Sequence, residues 1–280
     1  MKGLTATRCR TSGFNIKKNR MFGLFKKKKT PPTFAPLYTD MHCHLLPLVD
    51  DGSKSLEESL DVMEVMKEVG FEEIRLTPHY QYPRFPNKED DIEERYKNFC
   101  EEVERNKGER SLPLLKGVTG EYRIDDGFHE HIERGRLLTY RFADPKRGSA
   151  KGLLLMELSL HQPVMGFEEV IFERQMEGYD IILAHPERYP YFNVHSDRLE
   201  QMKEQGVYFQ ANILSLDGFY GEEARKKAFD YIENGWIEFL GTDMHNVMYA
   251  QALRHAAGNR KIQQLLEKEE FENKNLVSKD

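Results

Sequence analysis

The chain has 280 residues, 39% hydrophobic and 31% charged, enough for a well-buried core and unlike a disordered or fibrous composition. No run approaches the roughly 18 apolar residues of a membrane-spanning helix, and three scattered cysteines (Cys9, Cys43, Cys100) fit a reducing, cytoplasmic location better than a disulfide framework. The net charge of −6 is uneven: ten Lys and Arg and no acid precede Asp40, and the remainder, with 31 basic against 47 acidic residues, carries about −16, which disfavours nucleic acid as a partner.

Residues 1–36 read as a disordered basic leader in which Met21 is an alternative start. Its Phe22, Leu24, Phe25 and the lysines at 26–29 would give at most weak contact with an anionic membrane surface. Residues 37–272 read as one domain in which short apolar runs alternate with amphipathic ones. A strand at 37–41 leads to a helix at 55–69, opened by the capping box of Ser55 and Glu58 and closed by Gly70. Strand 73–77 precedes helix 88–105, and strand 114–119 precedes a short helix at 127–134. Strand 152–156 leads to helix 167–176, strand 180–183 to helix 196–205, and strand 207–210 to helix 222–234. Strand 238–241 and helices at 249–257 and 260–269 complete the pattern, with 273–280 expected to fray. Seven strands, each followed by helix, predict an α/β fold with buried parallel strands, closed as a TIM-like barrel; an open doubly wound sheet is the competing topology.

Followed to their C-terminal ends, these strands give His42 and His44, His79, Glu121, Glu157, His185, and Asp243 with His245; the remaining strand ends near Asn212. In a β/α barrel such ends meet on one rim, where catalytic residues sit. Five of the ten histidines fall on these ends, too many for random scatter. His42 and His44 are two apart on a strand, as are Asp243 and His245, so each pair shares a face while Cys43 points the other way. Glu157 and His185 each cap an apolar run and need a metal or charged partner to offset desolvation. Asp50 and Asp51 in VDDG read as a turn, and His129, His131, His161 and His195 as surface residues. Mixed imidazole and carboxylate ligands suit Zn, Mn or Fe rather than Ca, and eight or nine of them imply two or three ions. A cysteine-nucleophile phosphate loop is excluded, because Asn15, Val49 and Asn106, not arginine, stand six residues after the three cysteines.

The segments DMHCHLLPLVDDG, TPHY, GEY, MELS, AHPERY and TDMHN, spread from Asp40 to Asn246, together resemble the polymerase and histidinol phosphatase (PHP) family, in its bacterial tyrosine-protein phosphatase branch. The resemblance implies a distorted seven-stranded (β/α)7 barrel holding three divalent ions, manganese first, with zinc or iron as alternatives. One ion would be held by His42, His44, Glu121 and Asp243. A second would share Glu121 and add Glu157 and His185, and a third would take Asp51, His79 and His245. Arg188, Asp243 and His245 are the expected catalytic residues, with Arg188 on the substrate phosphate. The branch often has a further phosphate-binding arginine shortly after the DMH motif; here none occurs before Arg254, so Arg254 or Arg84 is expected to substitute. The activity so implied is phosphomonoester hydrolysis by metal-activated hydroxide. The substrate would be a phosphotyrosine protein, a bacterial tyrosine kinase, and control of capsule or exopolysaccharide the setting. A small-molecule phosphatase of the histidinol phosphate type is the alternative.

Overall fold

A computed structural model describes residues 33–124, 137–162, 164–192 and 197–278. The basic leader before residue 33, the helix expected at 127–134 with His129 and His131, and His195 lie outside them. In chain order the elements are β1 (Thr39–Asp40), α1 (Leu56–Glu68), β2 (Glu73–Leu76), β3 (His79–Tyr80), α2 (Glu89–Asn106), β4 (Leu114–Val118), β5 (Glu121–Arg123), β6 (Tyr140–Phe142), β7 (Leu153–Glu157), α3 (Phe167–Met176), β8 (Asp180–Ala184), α4 (Asp197–Glu204), β9 (Tyr208–Asn212), α5 (Ile213–Leu216), α6 (Glu222–Glu233), β10 (Ile237–Gly241), α7 (Val247–Ala257), α8 (Arg260–Lys268) and β11 (Leu276–Ser278). Short 3₁₀ turns occupy Pro186–Arg188 and Asn273–Asn275.

The fold is mixed α/β with parallel sheets. A three-stranded sheet has the order β1–β2–β4, and a larger one runs β10–β9–β8–β7–β5–β3, every neighbouring pair parallel. Backbone hydrogen bonds link the sheets: His44 N–H donates to Met244 O (2.8 Å) and Asp243 N–H to His42 O (2.8 Å). Two expected strands, 73–77 and 114–119, form as β2 and β4, and each is followed by a short strand that was not expected. Thr77 and Pro78 separate β2 from β3, and Thr119 and Gly120 separate β4 from β5, and the short strands pair within the larger sheet. Pro78 has no N–H to give a ladder, which favours a break there.

The strand faces explain where the site lies. On β7, Leu154 and Met156 join the main apolar cluster, whereas Leu153 and Leu155 join a smaller one with Met41, Ile182, Ala184 and Phe239. Because side chains alternate along a strand, Glu157 continues the Leu153–Leu155 side, and Gln210 and Asn212 continue the side of Tyr208. Polar strand ends therefore stack above an apolar plug. At the start of α1, Ser55 Oγ accepts from Glu58 N–H (3.2 Å), but the Glu58 carboxylate takes Lys54 N–H (2.8 Å) instead of the Ser55 amide, a shifted capping box.

Of the segment expected to fray, residues 273–278 are tied into the fold. β11 pairs antiparallel with β6, which in turn pairs antiparallel with β7, and Leu276 is buried in the smaller cluster. Buried Asn273 ties this segment down: its Nδ2 donates to Thr39 O (3.0 Å) and Leu240 O (2.5 Å), and its Oδ1 accepts from Leu240 N–H (3.0 Å). Neither β6 nor β11 shows in the sequence pattern, because three-residue strands carry too little periodicity and gain their stability from distant partners.

Candidate metal and phosphate site

The side chains at the strand ends converge. His42 Nε2 lies 3.2 Å from Glu121 Oε2 and 3.5 Å from Asp243 Oδ1, and His44 Nε2 lies 3.3 Å from each of the same oxygens. His79 Nδ1 is 3.0 Å from Glu121 Oε2 and 3.8 Å from Glu157 Oε2. His185 Nε2 is 3.8 Å from Glu121 Oε1 and 3.7 Å from Glu157 Oε1. Asp51 Oδ1 sits 3.5 Å from His79 Nε2 and 3.6 Å from His245 Nε2. Three sets offer ligand atoms all within 4.8 Å of one another: His42, His44 and Asp243; His79, Glu121 and Glu157; and His44, His79 and His245.

Two backbone distortions make this possible. His185 and Asp243 adopt φ of 35° and 51°, left-handed conformations that cost a non-glycine residue roughly 1–3 kcal/mol. Both are held by the sheets, through His185 N–H on Gln210 O (2.7 Å) and Asp243 N–H on His42 O (2.8 Å). After His185 the chain turns through Pro186–Arg188, which returns Arg188 so that its Nη1 lies 2.6 Å from Asp243 Oδ2 and its guanidinium lies over the Tyr220 ring at 4.1 Å.

A second layer fixes the imidazoles. Asp243 can only accept, so Asn212 Nδ2 donates to it (2.8 Å); Gln210 Nε2 then donates to Asn212 Oδ1 (2.9 Å), which leaves Gln210 Oε1 as acceptor for His42 Nδ1–H (2.8 Å). Asp50 does the same for His44, taking its Nδ1–H at 2.9 Å while also accepting from the amides of Gly52 (2.9 Å) and His79 (3.0 Å). Both histidines thus carry the proton on Nδ1 and turn Nε2 toward the carboxylates, the arrangement that presents a lone pair to a cation.

The electrostatics are those of a cluster built for positive charge. Burial opposes protonation of His42, but Glu121 and Asp243 outweigh it and lift its pKa to about 9. Burial and then Asp50 act in the same opposed way on His44, raising it well above the usual imidazole value. Glu121 is desolvated, yet His42 and His79 hold it well below the usual carboxylate range. Burial, and the like charge of Glu121, push Glu157 up. Burial, and then Arg188, push His185 well down, leaving it neutral and able to ligate. No well-aligned hydrogen bond reaches either oxygen of wholly buried Glu121 although four imidazoles surround them, and Asp51 Oδ1 and His79 Nδ1 likewise lack a partner. Buried carboxylate oxygens are rarely left so, and a divalent cation is the partner that would satisfy them. The residues present therefore fit divalent metal.

Beside the cluster opens a cavity of about 250 Å³ whose wall includes Asp51, His79, Glu157, His185, Asp243 and His245. Arg84 and Arg188 also line it, Arg84 with Nη2 on Asp51 Oδ2 at 3.0 Å. Arg254 does not. It lies eight residues along α7 from Asn246, roughly 12 Å of helix rise, and its guanidinium is bound to Glu68 of α1 (Nε–Oε2 3.0 Å). Arg254, expected as a phosphate ligand, is thus not brought to this cavity. Arg123 lines the cavity instead, with Nη1 3.3 Å from Glu157 Oε2. It was findable, since it stands two residues after Glu121 on one strand and so shares its face. Gln210 and Asn212, as uncharged amides, carry no ligand signal at a strand end, and the turn pattern of VDDG masks the role of Asp50.

A buried imidazole–carboxylate cluster on an α/β scaffold, opening into an arginine-lined cavity, defines a site that fits divalent metal and an anionic ligand. The chain belongs to the capsular polysaccharide synthesis family CpsB/CapC, whose model matches residues 38–273. It is 25% identical over 208 residues to the tyrosine-protein phosphatase YwqE of Bacillus subtilis, covering 74% of this chain and 77% of that one. It is 29% identical over 214 residues to the tyrosine-protein phosphatase CpsB of Streptococcus agalactiae, covering 74% and 83%. A solved structure from work on YwqE of B. subtilis and CpsB of Streptococcus pneumoniae, described as metal-dependent tyrosine phosphatases, superposes with a TM-score of 0.63 at 22% identity, over 82% of this chain and 91% of that one, a likeness of fold.

Proposed function

We infer that the chain is a metal-dependent protein-tyrosine phosphatase, a single domain over residues 37–272 whose strands close as a distorted seven-stranded barrel. The observation that carries the reading is Glu121: fully buried, with no well-aligned hydrogen bond on either oxygen, and ringed by His42, His44, His79 and His185 beside an arginine-lined cavity. Three divalent ions, manganese first, would be held by His42, His44, Glu121 and Asp243; by Glu121, Glu157 and His185; and by Asp51, His79 and His245. When bound, they would supply an acidified water near neutral pH and neutralise charge on the phosphoryl oxygens.

The chain's own residues do the rest. Arg188, its positive charge secured by Asp243, offers a planar fork of donors to the phosphate. Gln210 and Asp50 hold the tautomers of His42 and His44. Tyr249 forms part of the cavity wall against His245, at a ring separation of 5.2 Å, a surface suited to an aryl group. A phenol leaves with a pKa near 10, so no dedicated general acid is required. The relatives named as tyrosine-protein phosphatases support a phosphotyrosine protein as substrate, and a bacterial tyrosine kinase in the cytoplasm fits that class.

The test is hydrolysis of a phosphotyrosine peptide and of histidinol phosphate by protein loaded with Mn, Zn or Fe, with and without chelator. The reading expects chelator-sensitive turnover that favours the peptide. Preference for histidinol phosphate would replace the substrate assignment. Metal-loaded protein inert toward both would overturn the function.

A further inference from the structure

Three arginines line the cavity, and each is paired with a different carboxylate of the cluster: Arg188 with Asp243, Arg84 with Asp51 and Arg123 with Glu157. They are not equivalent. The Arg84 side chain is 59% exposed, so solvent weakens its hold on any anion, whereas Arg123 is only 13% exposed and Arg188 17%. Arg123 ends β5 and Arg188 follows β8, and β7 lies between those two strands in the sheet. The two guanidiniums are thus anchored at different parts of the cluster, Arg123 on Glu157 at the end of β7 and Arg188 on Asp243 beyond β10.

A phosphate monoester presents three non-bridging oxygens and up to two negative charges. One guanidinium fork engages two oxygens and leaves the group free to pivot; a second, anchored elsewhere, fixes the third. The ion pair with Glu157 uses Nη1 of Arg123, one nitrogen of a group with five N–H donors. Resting on the phosphomonoesterase reading above, we propose that Arg123 is the second phosphate-binding guanidinium of this site, acting together with Arg188.

A guanidinium that only steadies Glu157 would affect metal retention, and one that binds phosphate would affect anion affinity, so the two roles separate experimentally. Arg123→Met and Arg123→Lys are made in the full chain and loaded with manganese. Metal content, folding by circular dichroism, inorganic phosphate affinity by titration calorimetry, and kcat and KM on a phosphotyrosine peptide are measured. Arg123→Met should keep its metal and weaken phosphate binding by about ten- to a hundredfold, the worth of charge-assisted hydrogen bonds. KM should rise in step, with a smaller change in kcat. Arg123→Lys, which keeps the charge without the fork, should fall between; if the methionine variant does not fold, the lysine variant decides. Phosphate affinity equal to wild type, or metal lost from both variants, would overturn the assignment. If wild type itself neither binds phosphate nor hydrolyses the peptide, the functional reading fails; if it does both and the variants match it, this inference alone fails.

Discussion

Replacing Gln210 with leucine should weaken both the fold and metal retention, although Gln210 would touch no ion. Its side chain is fully buried, with Oε1 taking His42 Nδ1–H at 2.8 Å and Nε2 donating to Asn212 Oδ1 at 2.9 Å. Leucine is close in volume, so little cavity opens, but two buried polar groups lose their partner. At about 1–3 kcal/mol each, the loss is roughly 2–6 kcal/mol, out of a total stability of about 5–15 kcal/mol. For a domain of this size it lowers Tm by roughly 5–20 °C. His42 is then free to swing or change tautomer, and loss of such a supporting contact weakens metal affinity about 10–100-fold. Melting in chelator isolates the first effect, and equilibrium dialysis against manganese the second. Gln210→Glu should also destabilise, because it sets a carboxylate oxygen against Asn212 Oδ1, which is fixed by Asn212 Nδ2 on Asp243. A Leu variant that melts within about one degree of wild type and keeps manganese within about twofold would refute the orienting role.

Metal uptake should release protons: His42, raised to about 9 by Glu121 and Asp243 against burial, is protonated at neutral pH without an ion. Affinity should therefore climb as pH rises toward about 9 and drop on acidification, which metal titrations in lightly buffered solution with a pH electrode would register. Burial raises Glu187 from 4.5 to about 7. The stability this group contributes is present in full below about 4.5 and disappears as pH rises through about 7, a loss of about 3 kcal/mol. Melts of Glu187→Gln in chelator should lack that alkaline decline; a decline equal to wild type would contradict the assignment. Asn273→Ala strips the Leu240 amide and the Thr39 and Leu240 carbonyls of a buried partner. It should cost about 2–4 kcal/mol, read as a fall in the urea midpoint, and no change would mean that the C-terminal segment is not anchored there.

What the sequence determined by itself was local and periodic. Runs such as 153–156 and 180–183 are long enough in aliphatic residues to declare buried parallel strands, and the spacing of His42 with His44 and of Asp243 with His245 declares which side chains share a face. The polar residues ending those strands were legible for the same reason. Tertiary structure decided everything that depends on a distant partner. β6 and β11 exist because each supplies the other's hydrogen bonds. Arg254 turned to Glu68 because α7 packs against α1, a choice no spacing records. Arg123 gained its place through Glu157, 34 residues away. The relay from His42 through Gln210 and Asn212 to Asp243 runs across three strand ends. Amides have no charge to mark them in a sequence; their role arises when the chain folds and a buried donor must find an acceptor.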